Sequence, residues 1–188
     1  MRTHRHLVIY ESILQTLNES GCPFCRFLKE FQAARLQSPQ DVEIHQVCNF
    51  HAWGLAAVRD APAAAEVFLG LVGEPTPSSS DNAACDICVE VMAEEDLRIR
   101  EFVSCVDRAE VLHWLKANAV LCIPHGMKLR RKLPLILTPR IDAIISGYRQ
   151  QLTSELMQLR EEKQPDRVGW GALGRAAEFL ISQRGLRA

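Results

Sequence analysis

The chain has 188 residues, 47% of them hydrophobic and 24% charged, with a formal net charge of −1. Such a balance suits one large or two small soluble globular domains and lacks the basic excess of a dedicated nucleic-acid binder. Aromatics at 6% offer no stacking platform for single strands, and no apolar run nears the roughly 18–20 residues of a membrane span.

In chain order, Met1-Arg-Thr-His-Arg-His6 is basic, but Leu7-Val-Ile-Tyr10 gives way at once to Glu11, unlike a signal peptide. A cytoplasmic, reducing location is therefore expected, where seven cysteines serve metal rather than disulfides. Leu7, Tyr10, Leu14 and Leu17 predict a helix over 7–19, stopped by Gly21. A second helix is expected from Cys25 to about Leu36. Ser38-Pro39 supplies a cap and first-turn proline for a third, ending near Cys48. A fourth runs from Pro62 to Gly73. Residues 74–84, rich in Pro and Ser, read as a linker.

The second half follows a similar plan. Helices are expected from Asp86 to Val103 and, opened by the capping-box-like Asp107-Arg-Ala-Glu110, to Leu121. A long helix over 139–163 carries the stripe Ile141, Ile144, Ile145, Tyr148, Leu152, Leu156 and Leu159. A last one, over 170–184, presents Trp170, Leu173, Ala177, Leu180 and Ile181. No alternating strand pattern occurs. The predicted class is all-α: two related zinc-stapled helical hairpin units with flanking helices. The units are residues 1–73 and 85–163, with 164–188 docking back.

The chemistry lies in four short motifs. Cys22-Pro-Phe-Cys25 is answered by Cys48-Asn-Phe-His51, and Cys85-Asp-Ile-Cys88 by Cys122-Ile-Pro-His125. Each C-x-x-C…C-x-x-H set offers three thiolates and one imidazole, the closed tetrahedral shell of a structural zinc site. Two ions are expected, one per set, with zinc preferred over iron because ferredoxin-like cysteine runs are missing. Each set spans an out-and-back helix pair with arms of nearly equal length, about 12 and 10 residues in the first and about 15 and 14 in the second. The open end of each hairpin would then bring its own two motifs together. On this plan C-x-x-C opens a helix, with its dipole favouring thiolate, whereas C-x-x-H closes one. Each histidine needs an acceptor for its second ring nitrogen. Cys105, at the far turn, would lie roughly 20–25 Å from the metal and is expected to be a small buried apolar residue.

Other readings compete for the same residues. Cys22-Pro-Phe-Cys25 has the form of a glutaredoxin active site, but a helix rather than a strand precedes it. A catalytic zinc site would keep one position open, and four protein ligands leave none. A redox-responsive thiol and zinc sensor is one alternative, and a nucleic-acid-binding zinc protein another. The second draws on Lys128, Arg130, Arg131, Lys132 and Arg140, although these charges would equally complement the acidic helix face of Asp86, Glu90, Glu94, Glu95, Asp96 and Glu101. His45 and His113 are placed mid-helix without a ligand role. Trp53, Trp114 and Trp170 are expected as core anchors.

Through Cys22-Pro-Phe-Cys25, Cys48-Asn-Phe-His51-Ala-Trp53 and the closing Trp170-Gly-Ala-Leu-Gly-Arg175-Ala-Ala-Glu178-Phe-Leu180, the chain resembles a family of uncharacterised bacterial helical proteins. That family has repeated C-x-x-C…C-x-x-H motifs and a closing W-x-R-A helix. The second copy departs from it: Cys85-Asp-Ile-Cys88 lacks the proline, and His125 is followed by Gly126-Met127. The resemblance implies architecture and metal, and no reaction. The functional expectation is a non-enzymatic adaptor or scaffold, without catalytic residues, meeting a protein partner through residues 139–184.

Overall fold

The computed structural model describes residues 11, 14, 15, 17, 21–37, 44–57, 61–73, 85–117, 119–161 and 167–181. Among them there is no strand, so the all-α class holds. The elements are α1 (Pro23–Gln37), α2 (Asn49–Ala56), α3 (Ala61–Gly73), α4 (Asp86–Ser104), α5 (Ala109–Ala117), α6 (Ile123–Lys132), a single 3₁₀ turn (Leu135–Leu137), α7 (Thr138–Glu161) and α8 (Arg167–Ile181). Most of the helix expected over 7–19, and the linker 74–84, lie outside the described residues.

Two compact units emerge, one of Met1–Phe27 with Leu97–Ala188, the other of Leu28–Asp96. Their boundaries fall inside α1 and α4, not at residues 74–84. A sequential division, 1–73 against 85–163, gives way to a nested one.

The first unit owns a substantial apolar core. Phe102 sits at its centre, edge-on to Phe24 at 5.5 Å and to Trp114 at 6.0 Å, among Ile99, Val111, Leu115, Leu121, Leu129 and Ile141. Arg98 lies over the ring of Phe27 at 3.9 Å, a cation–π contact that sets the start of α1 antiparallel to the last turns of α4. The α7 stripe behaves as its period dictates: Ile141, Ile144, Ile145 and Leu152 are buried, and Leu156 and Leu159 half-buried. This helix packs against α5, α6 and α8. Gly126 permits the α6 contact, because a Cβ there would sit 2.5 Å from Cδ1 of Ile145. That close approach gives a physical reason for the glycine after His125.

Helix α8 docks on α7 with a face other than the expected one. Ala172 and Phe179 are buried while Leu173, Leu180 and Ile181 are exposed. Two contacts fix the rotation: Phe179 meets Tyr148 edge-to-face at 5.4 Å, and Arg175 donates to Glu155 at 2.7 Å. Trp170's side chain lies outside the described residues. The basic segment also finds its own partners, Arg130 with Asp142 at 3.2 Å and Arg140 with the carbonyls of Leu115 and Lys116. The last two are C-terminal carbonyls of α5, where a cation is favoured by the helix dipole.

The second unit buries far less. Leu28, Leu55, Ala64, Ile87 and Val91 are its buried aliphatic side chains among the described residues. A bidentate Arg35–Glu90 pair, 2.6 Å on its Nη2 side, joins the end of α1 to the start of α4. Trp53 is no core anchor here; it is 73% exposed against 7% for Trp114. The eight-residue α2 buries His51 and Leu55, four apart, which turns Trp53 to the opposite face.

Because Phe102 touches two aromatic neighbours, Phe102→Ala should cost about 3–5 kcal/mol in the first unit. Urea unfolding followed through the buried Trp114 reads that loss directly.

Candidate metal centres

All four motifs are built the same way. Cys22, Cys48, Cys85 and Cys122 each immediately precede a helix, and their carbonyls accept the amides of Arg26, Ala52, Val89 and Gly126 at 2.9–3.2 Å. Each cysteine is thus an N-cap, and its partner three residues on, Cys25, His51, Cys88 or His125, lies in the first turn. Side chains three apart at a helix start share one side, so each motif aims two donor atoms at one point. Extended backbone at Cys48 (φ −78°, ψ 164°) and Cys122 (φ −71°, ψ 160°) completes the cap geometry. Gly21, with φ of 91°, turns the chain into the first motif in a conformation that favours glycine.

All eight expected ligands converge, but in exchanged partnership. Cys22 and Cys25 meet Cys122 and His125, whereas Cys48 and His51 meet Cys85 and Cys88; within each group the ligand atoms lie within 4.8 Å of one another. The sets Cys22–Cys25–Cys48–His51 and Cys85–Cys88–Cys122–His125 are therefore corrected. The matched-arm argument fails because the return arms are not helical throughout. Residues 44–48 and 119–122 are non-helical, and each C-x-x-H opens a helix instead of closing one. His45 accordingly lies outside any helix, while His113 is exposed within α5.

Packing decides the partnership inside each unit. In the first, the Phe24–Phe102 contact sets the start of α1 beside the end of α4, from which α5 and a short non-helical stretch lead to Cys122. In the second, the Asp86 carboxylate accepts the amides of His45 at 2.7 Å and Gln46 at 2.9 Å, and the Asp86 amide donates to the Gln46 carbonyl at 3.0 Å. Those three bonds fasten residues 45–46 to the start of α4 and carry Cys48 to Cys85 and Cys88. Asp86 is a positioning residue that its place in an acidic helix had disguised as a solvated charge. The C-x-x-H signal was present too: Pro124 in the first turn of α6 marks a helix start.

The distances fit a tetrahedral ion. Nδ1 of His51 is 3.3, 3.3 and 3.4 Å from the sulfurs of Cys48, Cys85 and Cys88. Nδ1 of His125 is 3.5, 3.4 and 2.9 Å from those of Cys22, Cys25 and Cys122. Sulfur–sulfur distances are 3.5 Å for Cys25–Cys122 and 3.8 Å for Cys48–Cys88. A tetrahedron with metal–sulfur bonds of about 2.3 Å and a metal–nitrogen bond of about 2.0 Å has edges of about 3.8 and 3.5 Å. Both clusters can hold a metal ion, and in both the imidazole offers Nδ1. Cys105, as expected, is buried in the apolar core of the first unit and belongs to neither group.

Electrostatics couple the thiols within each cluster. Burial pushes the Cys22 thiol up, but hydrogen bonds with Cys122, Cys25 and His125 outweigh it and hold Cys22 well below the ordinary value. Cys122, bonded to Cys22 and Cys25 and then buried, is pushed far up. In the second cluster burial raises Cys48, yet the amide of His51 and the thiols of Cys88 and Cys85 bring it down. Burial and then Cys85 and Cys48 push Cys88 up to about 12. Each cluster thus sets one lowered thiol, Cys22 or Cys48, against one raised thiol, Cys122 or Cys88, an opposition that a bound cation would relieve. Burial lowers His51, leaving a neutral imidazole suited to ligation. Among the described residues its Nε2 is buried without the expected acceptor, and the ring lies edge-on to Phe50 at 5.2 Å. The ring of His125 lies against Phe24 at 5.4 Å.

No protein-family model, curated protein or solved structure matches the chain.

The exchanged partnership is tested by counting ions in double variants. Cys22→Ser with His125→Ala should remove one metal equivalent, and Cys22→Ser with Cys48→Ser should remove both. Sequential sets give the reverse, which elemental analysis distinguishes. Asp86→Ala should weaken the second centre by about 10–100-fold, as loss of an outer support does, with the first unchanged in a competitive chelator titration.

Proposed function

We propose that the protein is a non-enzymatic structural zinc protein, an adaptor or scaffold whose two ions each occupy one Cys₃His cluster. The observation that carries this reading is the closed donor set: each imidazole Nδ1 stands nearly equidistant from three sulfurs in the second cluster and within 3.5 Å of three in the first. Four protein donors leave no position for water or substrate, the mark of a site that holds structure together. Three cysteines and one histidine also match zinc's preference for sulfur and nitrogen in tetrahedral array.

The adaptor role draws support from apolar side chains left outside the cores. Trp53 of α2, Leu69 and Val72 of α3, and Leu173, Leu180 and Ile181 of α8 are all exposed. The α8 residues fall within the 139–184 stretch read from the sequence as a partner surface. A protein partner engaging this face would cover them.

Elemental analysis of purified protein should give two zinc ions per chain. Because the second unit has the smaller core, a chelator should unfold it first, while the first unit keeps protected amides in hydrogen exchange. A chain that contains no metal and is fully folded removes the basis of the proposal. The ions should also leave on acidification, since protons compete with the metal for sulfur and imidazole.

A further inference from the structure

The two centres differ in one chemically decisive respect. At the first, the ligand groups of Cys22, Cys25, Cys122 and His125 are all enclosed; at the second, Cys48 and Cys88 are half-buried while His51 and Cys85 are buried. The two accessible sulfurs stand 3.8 Å apart, one from each motif. We propose that Cys48 and Cys88 are a peroxide-oxidisable pair whose disulfide releases the ion of the second unit while the first unit keeps its own. This rests on the metal reading above and adds to it a modification site.

Access and proximity carry the inference. Thiolate oxidation follows exposure as well as nucleophilicity, and Cys48 and Cys88 are the two sulfurs of their cluster that are not enclosed. Cys85 is only 8% exposed and is therefore not the first sulfur reached. A disulfide needs the pair to close from contact distance to about 2.05 Å, a movement that one side chain on each helix start can share.

The chemistry balances with hydrogen peroxide as the oxidant. One thiolate attacks a peroxide oxygen, the O–O bond breaks, and hydroxide leaves a sulfenic acid on sulfur. The second thiolate attacks that sulfur, the S–O bond breaks, and a second hydroxide leaves. Two electrons pass from the sulfur pair to peroxide, and each hydroxide takes a proton from water's acid pool. The ion is left with His51 and Cys85, half its shell. With only a handful of buried aliphatic side chains behind it, the second unit then loses its principal tie.

The test uses the full-length wild-type chain, first assayed for two ions, then treated with one equivalent of hydrogen peroxide beside a chromogenic zinc chelator. After alkylation and digestion, peptide masses locate the disulfide. One ion should leave at least about tenfold faster than the other, with a linked peptide joining Cys48 to Cys88. Cys22, Cys25, Cys105 and Cys122 should be recovered alkylated. Simultaneous release, earlier loss from the first centre, a Cys85–Cys88 link, or no link at all overturns the inference while leaving a two-ion structural protein intact. Protein that holds no ion at the outset sinks the metal reading, and the inference with it.

Discussion

A cysteine standing as N-cap, with a second donor one turn later, is the constraint on which the structure depends. Each such motif presents two ligands and the free amides of a helix start to the same point. Two motifs make a cluster. A dication held by three thiolates leaves a net charge of about −1, and two helix N-termini, each worth roughly half a positive charge, face it. A bound metal and the helix starts would therefore stabilise one another. Reversing either C-x-x-H helix would direct the negative end of a dipole at the same anionic cage.

The two units use this device against different backgrounds. Around Phe102 and Ile141 the first has a core of interlocked aromatic and aliphatic side chains, with α7 packed by α5, α6 and α8. Its cluster closes a unit already well supplied with apolar burial. The second has α2 and α3 packed together, a few buried aliphatic residues, the Arg35–Glu90 pair and the Asp86 bonds. Small cores need a staple, and there a bound ion would supply it. Enclosure follows the same order, which is why sulfur is accessible at one centre and not at the other.

Polar side chains in this chain act mainly by fixing registers. Asp86 fastens an extended segment to a helix start, Arg140 closes the end of α5, and Arg175 with Glu155 fixes the rotation of α8. None of these roles follows from charge pattern, because each needs a backbone or side-chain partner distant in sequence. Glu90 and Glu101 likewise take Arg35 and Arg98, not the basic segment at 128–140.

The sequence by itself determined the helical class, the eight donors, the exclusion of Cys105 and the buried stripe of α7. Those follow from local periodicity and from the valence of sulfur and imidazole, which need no distant contact. Only the tertiary structure decided which motifs come together, that C-x-x-H opens its helix, that Trp53 faces outward, and which face of α8 is buried. Ligand chemistry is satisfied equally by sequential or nested pairing, so spacing cannot choose between them. The choice is made by Phe24 against Phe102 in one unit and by Asp86 against the amides of His45 and Gln46 in the other, contacts that exist only once the chain has folded.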